Sequence, residues 1–263
     1  MTLNKNSASA VRLLAALAAC FLATASSADQ SAAGRSETAA PAVKRADFGK
    51  EKPSRQARHL ADWALDSGDN QRMPFVVIDK TAARVFVFDV DGRLRGAAAA
   101  LLGISRGDDS APGVGDRELS AIPLKDRTTP AGRFEASLGR NYHGKEILWV
   151  DYEASISMHP VINSVPSERR PLRLASETPL DNRISFGCIN VPIPFFKDVV
   201  SPSFKQTSGI VYILPEVRPF AEVFSTYDVE ERAMRLAKAA HVSSPGEAPA
   251  LTPTASAKGK VGE

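Results

Sequence analysis

Two short runs of unbroken apolar residues constrain this chain more than any other feature: Phe75-Val76-Val77-Ile78 and Val85-Phe86-Val87-Phe88. A strand with one wet face alternates apolar and polar side chains, whereas a strand apolar at every position needs cover on both faces. The fold must therefore hold a sheet with packed material above and below it. Asp91-Gly92 follows the second run and suits a tight hairpin, because that pair accepts positive φ. Residues 97–104 then return as the partner strand. Weaker strand patterns lie over 134–138 and 147–152, and a late core strand over 210–214. Residues 155–159 read as extended, with Ile156 and Met158 on one side and Ser157 and His159 on the other.

Helical periodicity occurs at the two ends. Ser54 is placed to cap a helix over 55–66, in which Ala57, Leu60, Ala61, Ala64 and Leu65 form one stripe. Ser67-Gly68 ends it. Asp228 caps a second helix, Glu231 completes a capping-box-like pair, and Lys238 and His241 suit the dipole of its last turn. The expected fold is mainly β, a β-sandwich with flanking N- and C-terminal helices.

The first 28 residues read as a signal peptide. Lys5 and Arg12 precede or open a short apolar run, and Ser26-Ser27-Ala28 offers small residues for cleavage. The run is too short to span a bilayer comfortably. A rival reading is a lipoprotein box, Leu17-Ala18-Ala19-Cys20, and membrane attachment is expected only if Cys20 is lipidated. Export to the periplasm or cell envelope follows from either. Residues 29–53 read as a flexible linker, 54–72 as the N-terminal helix, and 73–216 as the main β-rich domain. Residues 217–242 read as a helical extension and 243–263 as a disordered tail. The formal charge of +3 becomes +1 once Lys5 and Arg12 are removed, which gives no electrostatic case for nucleic acid.

Removal of the leader leaves one cysteine, Cys188, in Ser185-Phe186-Gly187-Cys188-Ile189-Asn190. A lone thiol in an oxidising compartment has no disulfide partner. Acyl transfer through sulfur needs a thiolate, a base and oxyanion donors. Cys188 supplies the sulfur, and His159 has the near-neutral pKa of a general base. The N–H groups of Gly187 and Cys188 are the expected oxyanion donors, and Arg183 is placed to favour a thiolate or bind a carboxylate. The bland alternative is a small buried cysteine and an unrelated histidine. His59, His143 and His241 lack metal-ligand spacing with one another or with Cys188, so no metal is expected. Residues 103–115 are glycine-rich without a phosphate-loop ending and read as a mobile surface loop, in which Arg106-Gly107-Asp108 carries no weight.

Ser185-x-Gly187-Cys188-x-Asn190 with His159 upstream resembles the catalytic signature of the L,D-transpeptidases, the YkuD-type family. Thr129-Pro130-Ala131-Gly132-Arg133-Phe134 resembles a second segment of that family, and the strand–turn–strand over 75–92 resembles the start of its domain. The resemblance spans 74–215. It implies an exported cysteine acyltransferase that acts on peptidoglycan stem peptides, with Cys188, His159 and Gly187 catalytic and Arg183, Ser185 and Asn190 near the substrate. Two alternatives remain open: an L,D-carboxypeptidase or hydrolase using the same site, and a non-catalytic wall-binding scaffold. The chain departs from the family pattern at Phe186, where many relatives carry a second histidine, and at Pro160, where serine is frequent. The stretch from His159 to Cys188 is also longer than usual. It contains Arg169, Arg170 and Arg173 and reads equally as a lid facing acidic stems or as a solvated basic turn.

Overall fold

The two all-apolar runs become adjacent strands inside one large sheet. The structure, a computed structural model, describes residues 42–243. The expected leader, the linker up to residue 41 and the tail from 244 onward lie outside the described residues. The strands are β1 Phe75–Asp79, β2 Arg84–Phe88, β3 Leu94–Ala99, β4 Leu102–Gly103, β5 Gly132–Arg140, β6 Glu146–Asp151, β7 Ile156–Pro160, β8 Arg183–Ser185, β9 Ile189–Val191 and β10 Gly209–Ile213. The helices are α1 Arg55–Ser67, α2 Arg170–Leu174, α3 Ile193–Phe195, α4 Ser201–Phe204, α5 Phe220–Val223 and α6 Val229–Ser243, with a π-helical turn, Phe196–Val200, joining α3 to α4. The fold is mainly β with helices at its flanks, as expected.

Eight strands form one sheet in the order β3-β2-β1-β10-β5-β6-β7-β9, and β4 pairs with β8 separately. The pairs β1–β10 and β7–β9 are parallel. The expected return strand over 97–104 is split: β3 begins at Leu94 and ends at Ala99, and the chain then leaves the sheet. Leu101 exchanges two backbone hydrogen bonds with Asn190 of β9, at 2.8 and 2.9 Å. Since β3 and β9 are opposite edges, this contact draws the sheet round on itself, and β4 beside β8 extends the seam.

Two cores follow from that curvature. Val76, Ile78, Val85 and Val87 point into one, with Leu148, Met158, Ile189, Phe196 and Phe204. Phe75, Val77, Phe86 and Phe88 point into the other, beneath α1. β1 and β2 thus send alternate side chains into two separate cores, which explains why neither strand tolerates a polar face. On α1, Ser54 Oγ accepts from the Ala57 N–H at 3.1 Å, and Gly68 takes the left-handed conformation with φ 76°. Ala57, Leu60, Ala61, Ala64 and Leu65 are all buried, as the stripe required. Gly92 in the β2–β3 hairpin has φ 80°, and a Cβ there would strike Leu65, so turn geometry and close approach both demand glycine. Asp228 caps α6, its carboxylate accepting from the N–H groups of Glu230 and Glu231 at 2.8 and 3.1 Å. Among the described residues no helix is long and apolar enough to cross a membrane.

The expected linker over 29–53 stops short of its C-terminal part. Residues 46–48 pack on the sheet instead: Asp47 exchanges backbone hydrogen bonds with Gly92 and Leu94, and Phe48 is buried edge-on against Phe86 and Phe88 at centroid distances of 5.3 and 4.9 Å. The apolar surface of β2 required a cover, and this segment provides it. Phe48→Ala should cost about 3–5 kcal/mol. Urea unfolding of the variant checks this; a midpoint unchanged from the parent would mean the segment is not part of the folded unit.

Candidate active site

The site is assembled where β7, β9 and the turn between β8 and β9 meet. β7 pairs with β9 in parallel register, Met158 against Ile189 and His159 against Asn190. Met158 and Ile156 enter the core, which leaves Ser157 and His159 on the side of the sulfur, as alternation predicted. The turn carries Phe186, Gly187 and Cys188. Gly187 has φ 130°, and a Cβ on it would lie 2.7 Å from the Thr128 carbonyl and 2.8 Å from Ile156 Cδ1. Glycine is needed here for conformation and for close approach of two backbones.

Cys188 is partly exposed and forms no disulfide. Its sulfur lies 3.6 Å from Ser157 Oγ and 3.6 Å from the Ser155 carbonyl. The imidazole of His159 lies near enough to the sulfur for each group to bear on the other's protonation. Burial is the largest single influence on the thiol and pushes its pKa up. The proximity and charge of His159, together with donors from the Ser157 backbone and hydroxyl, outweigh burial and hold the thiol below its ordinary value. For His159 burial pushes the pKa down, but the sulfur and the Pro160 carbonyl raise it above the ordinary histidine value, while Arg170 works against them. The two titrations belong to the pair rather than to either residue. Both directions favour a thiolate beside an imidazolium.

The tautomer of the neutral ring follows from one contact. His159 Nδ1 is 2.9 Å from the Pro160 carbonyl, which can only accept, so Nδ1 carries the proton and Nε2 the lone pair. The expected serine position after the histidine is thus served by a backbone oxygen that proline retains. Asn190 Nδ2 donates to Nε2 at 3.3 Å and to the Cys188 carbonyl at 3.4 Å.

Several residues named from the sequence have other partners than expected. The Gly187 N–H, expected to face an oxyanion, donates to Ser185 Oγ at 3.1 Å. Ser185 is buried, and its hydroxyl donates to the Cys188 carbonyl at 2.7 Å, so it closes the turn rather than facing a substrate. Asn190 is 1% exposed and is spent on internal contacts. Arg183 lies in an ion pair with Glu216 at 2.5 Å and donates to the Lys80 carbonyl at 2.9 Å, so its charge is committed away from the thiol. In the long segment after His159, Arg170 pairs with Glu168 at 2.6 Å, and Arg173 donates to the Glu168 and Asp181 carbonyls at 2.8 Å each. Arg173 braces the segment internally and Arg170 also ties it to Asn190 of β9, which neither of its sequence readings anticipated. Phe186 lies under the guanidinium of Arg127, 3.9 Å from ring centroid to Cζ. Among the described residues no group of three or more potential metal ligands occurs.

Behind the turn is a buttress that sequence reading missed. Lys80 has no exposed side-chain surface, and its three donors reach the Gly107 carbonyl, Asp108 and the Thr129 carbonyl at 2.6, 2.7 and 2.8 Å. Asp108 also accepts from the N–H groups of Glu216, Val217 and Arg218. Thr129 Oγ1 accepts from the Gly103 N–H at 2.9 Å and donates to the Gly187 carbonyl at 2.7 Å. The loop over 103–115, expected to be mobile, is therefore anchored through a buried aspartate, so that of the Arg106-Gly107-Asp108 triplet Arg106 is exposed and Asp108 is not.

No known family profile matches the chain, and no curated protein matches it. Solved structures similar to it include the helical cell shape determining protein Pgp2 from Campylobacter jejuni, at 16% identity over 72% of this chain and 64% of that one, with a TM-score of 0.38. An L,D-transpeptidase from Xylanimonas cellulosilytica is 16% identical over 54% of this chain and 60% of that one, with a TM-score of 0.34. The catalytic domain of an L,D-transpeptidase from E. faecium is 17% identical over 54% of this chain and 98% of that one, with a TM-score of 0.31. The chain thus spans less than two thirds of the first two.

Two predictions follow from this geometry. Burial would raise the pKa of Asp108, but the Arg218 N–H, the Lys80 ammonium and two further N–H groups hold it at about 2, below the ordinary 3.8. A depressed carboxylate stabilises the fold above its unfolded pKa, so about 2 kcal/mol should be lost as pH falls from near 4 to near 2. Asp108→Asn should cost about 3–5 kcal/mol at neutral pH by leaving the buried Lys80 ammonium with Glu216, 3.6 Å away, as its remaining carboxylate partner, and should flatten that acid dependence in denaturant titrations. Separately, iodoacetamide should alkylate Cys188 well below the ordinary thiol range, and His159→Ala should move the rate–pH profile upward. Superimposable profiles would mean that the imidazole does not act on the sulfur.

Proposed function

We propose that this chain is an exported cysteine acyltransferase of the L,D-transpeptidase type that acts on peptidoglycan stem peptides. The observation that carries the reading is a partly exposed thiol and an imidazole both tied to Asn190, which donates to His159 Nε2 and to the Cys188 carbonyl, with the ring tautomer fixed by the Pro160 carbonyl. The sequence resemblance supplies the substrate class. In the proposed reaction the Cys188 thiolate, its proton already held by His159, bonds to the carbonyl carbon of the third stem residue. The bond to the terminal D-alanine breaks, and the protonated imidazole returns the proton to the departing amine. An amine of a second stem then attacks the thioester and gives its proton to the now neutral His159, sulfur leaves as thiolate beside the imidazolium, and a cross-link between third residues forms. The backbone N–H of Cys188 is the proposed oxyanion donor, with Gly187 providing the turn and Ser157 supporting the thiolate. Cleavage of one peptide bond supplies the energy for the other, so the reaction needs neither nucleotide nor metal.

Purified protein should release D-alanine from a defined tetrapeptide stem and yield a dimer detectable by mass spectrometry. His159→Ala should lower the rate by about 10²–10⁴, and Cys188→Ala should abolish it. A shortened monomer in place of the dimer would assign hydrolysis to the same site. Undiminished release by Cys188→Ala would refute the mechanism. A carbapenem should add its mass to Cys188; no adduct together with no release of D-alanine would point to a scaffold.

A further inference from the structure

The long segment between His159 and Cys188 contains a device that bears on the base. Arg170, at the start of α2, has a side chain only 12% exposed, and its Nη1 donates to Asn190 Oδ1 at 2.6 Å. Its Nε is held by Glu168 at 2.6 Å, so the guanidinium is fixed from two sides. An arginine has donors and no acceptor, so only the oxygen of the Asn190 amide can face it. The nitrogen must then face the other way, where Nε2 of His159 lies 3.3 Å off.

We propose that Arg170 is a positioning residue: by holding Asn190 Oδ1 it fixes the amide so that its N–H side, never its carbonyl, meets His159 Nε2. The proposal rests on His159 and Cys188 acting as a base–nucleophile pair, but not on which acyl donor they process. Its consequence concerns the proton. A neutral ring accepts from Nδ2 and is well satisfied. When Nε2 gains a proton, two donors face each other, and the amide offers the new N–H no acceptor. The proton is left to be shared with sulfur or passed on. Were the amide reversed, Oδ1 would accept from the imidazolium and trap the proton there. Arg170 opposes trapping a second way, because its own positive charge disfavours a cation on the ring. The charged and titratable groups that bear on the imidazole are Cys188 on the nucleophile turn and Arg170 on α2, with Glu168 paired to the latter.

NMR titration of the His159 ring protons in the full chain tests this directly. Arg170→Ala should move the His159 midpoint upward by about 1 pH through loss of the nearby charge and release of the amide. Arg170→Lys keeps a charge and a donor, and should stay near the parent. A purely structural role would not produce a shift that lysine reverses. A folded Arg170→Ala protein with the parent midpoint, or a lower one, would overturn the proposal. If that variant fails to fold, the parent protein decides: nuclear Overhauser contacts between the Asn190 side-chain NH2 and the His159 ring protons support the lock, and their absence with the NH2 resolved rejects it. The alkylation profile of Cys188 and its response to His159→Ala judge the base–nucleophile reading separately.

Discussion

A lysine ammonium withdrawn from water is the constraint from which the site is built. Taking Lys80 out of solvent is costly, and burial lowers its pKa accordingly. The cost is offset only when all three of its donors find acceptors, and these partners lie on two separate stretches of chain, Gly107 with Asp108 and Thr129. Satisfying that one cation therefore fixes the loop after β4, the segment before β5 and, through Asp108, the chain beyond β10. Thr129 is fixed at its carbonyl by Lys80 and passes the constraint onward through its hydroxyl to the Gly187 carbonyl. The nucleophile turn is held from behind by a chain of hydrogen bonds that starts at a buried charge.

The front of the site obeys a different economy. Nearly every polar group near Cys188 is engaged with another part of the protein: Ser185 with the turn, Asn190 with Arg170 and the imidazole, Arg183 with Glu216. This arrangement is preorganised, with little freedom left to the groups that set the protonation of sulfur and ring.

The sheet and the helix at its start were legible because their signals are local. Apolar runs, a periodic stripe, a capping serine and an Asp-Gly turn each act over a few residues. Ser157 and His159 were placed on one side by strand alternation alone. The roles of Ser185, Arg183 and the Gly187 N–H were not legible, since a motif shows which residue types occur and not which neighbour takes each donor. Lys80, Asp108 and Glu216 gave no signal at all. They are ordinary charged residues scattered along the chain, and only the tertiary fold makes them a cluster. Residues 46–48 were read as linker from composition, because the apolar face that Phe48 covers belongs to β2, far along the sequence. The π-helical turn at 196–200 has no account in the local sequence.

The short parallel pairing of β7 with β9 has a consequence for how activity could be lost. Only three residue pairs define it, and one of them sets His159 against Asn190. A strand's side chains change face at every step, so slippage by a single residue would turn the imidazole away from the sulfur altogether. There is no intermediate alignment in which the ring is merely a little displaced. Damage to this seam should produce a mixture of molecules with the ring on the sulfur's side and molecules with it on the opposite face, rather than a uniform population with the ring slightly displaced.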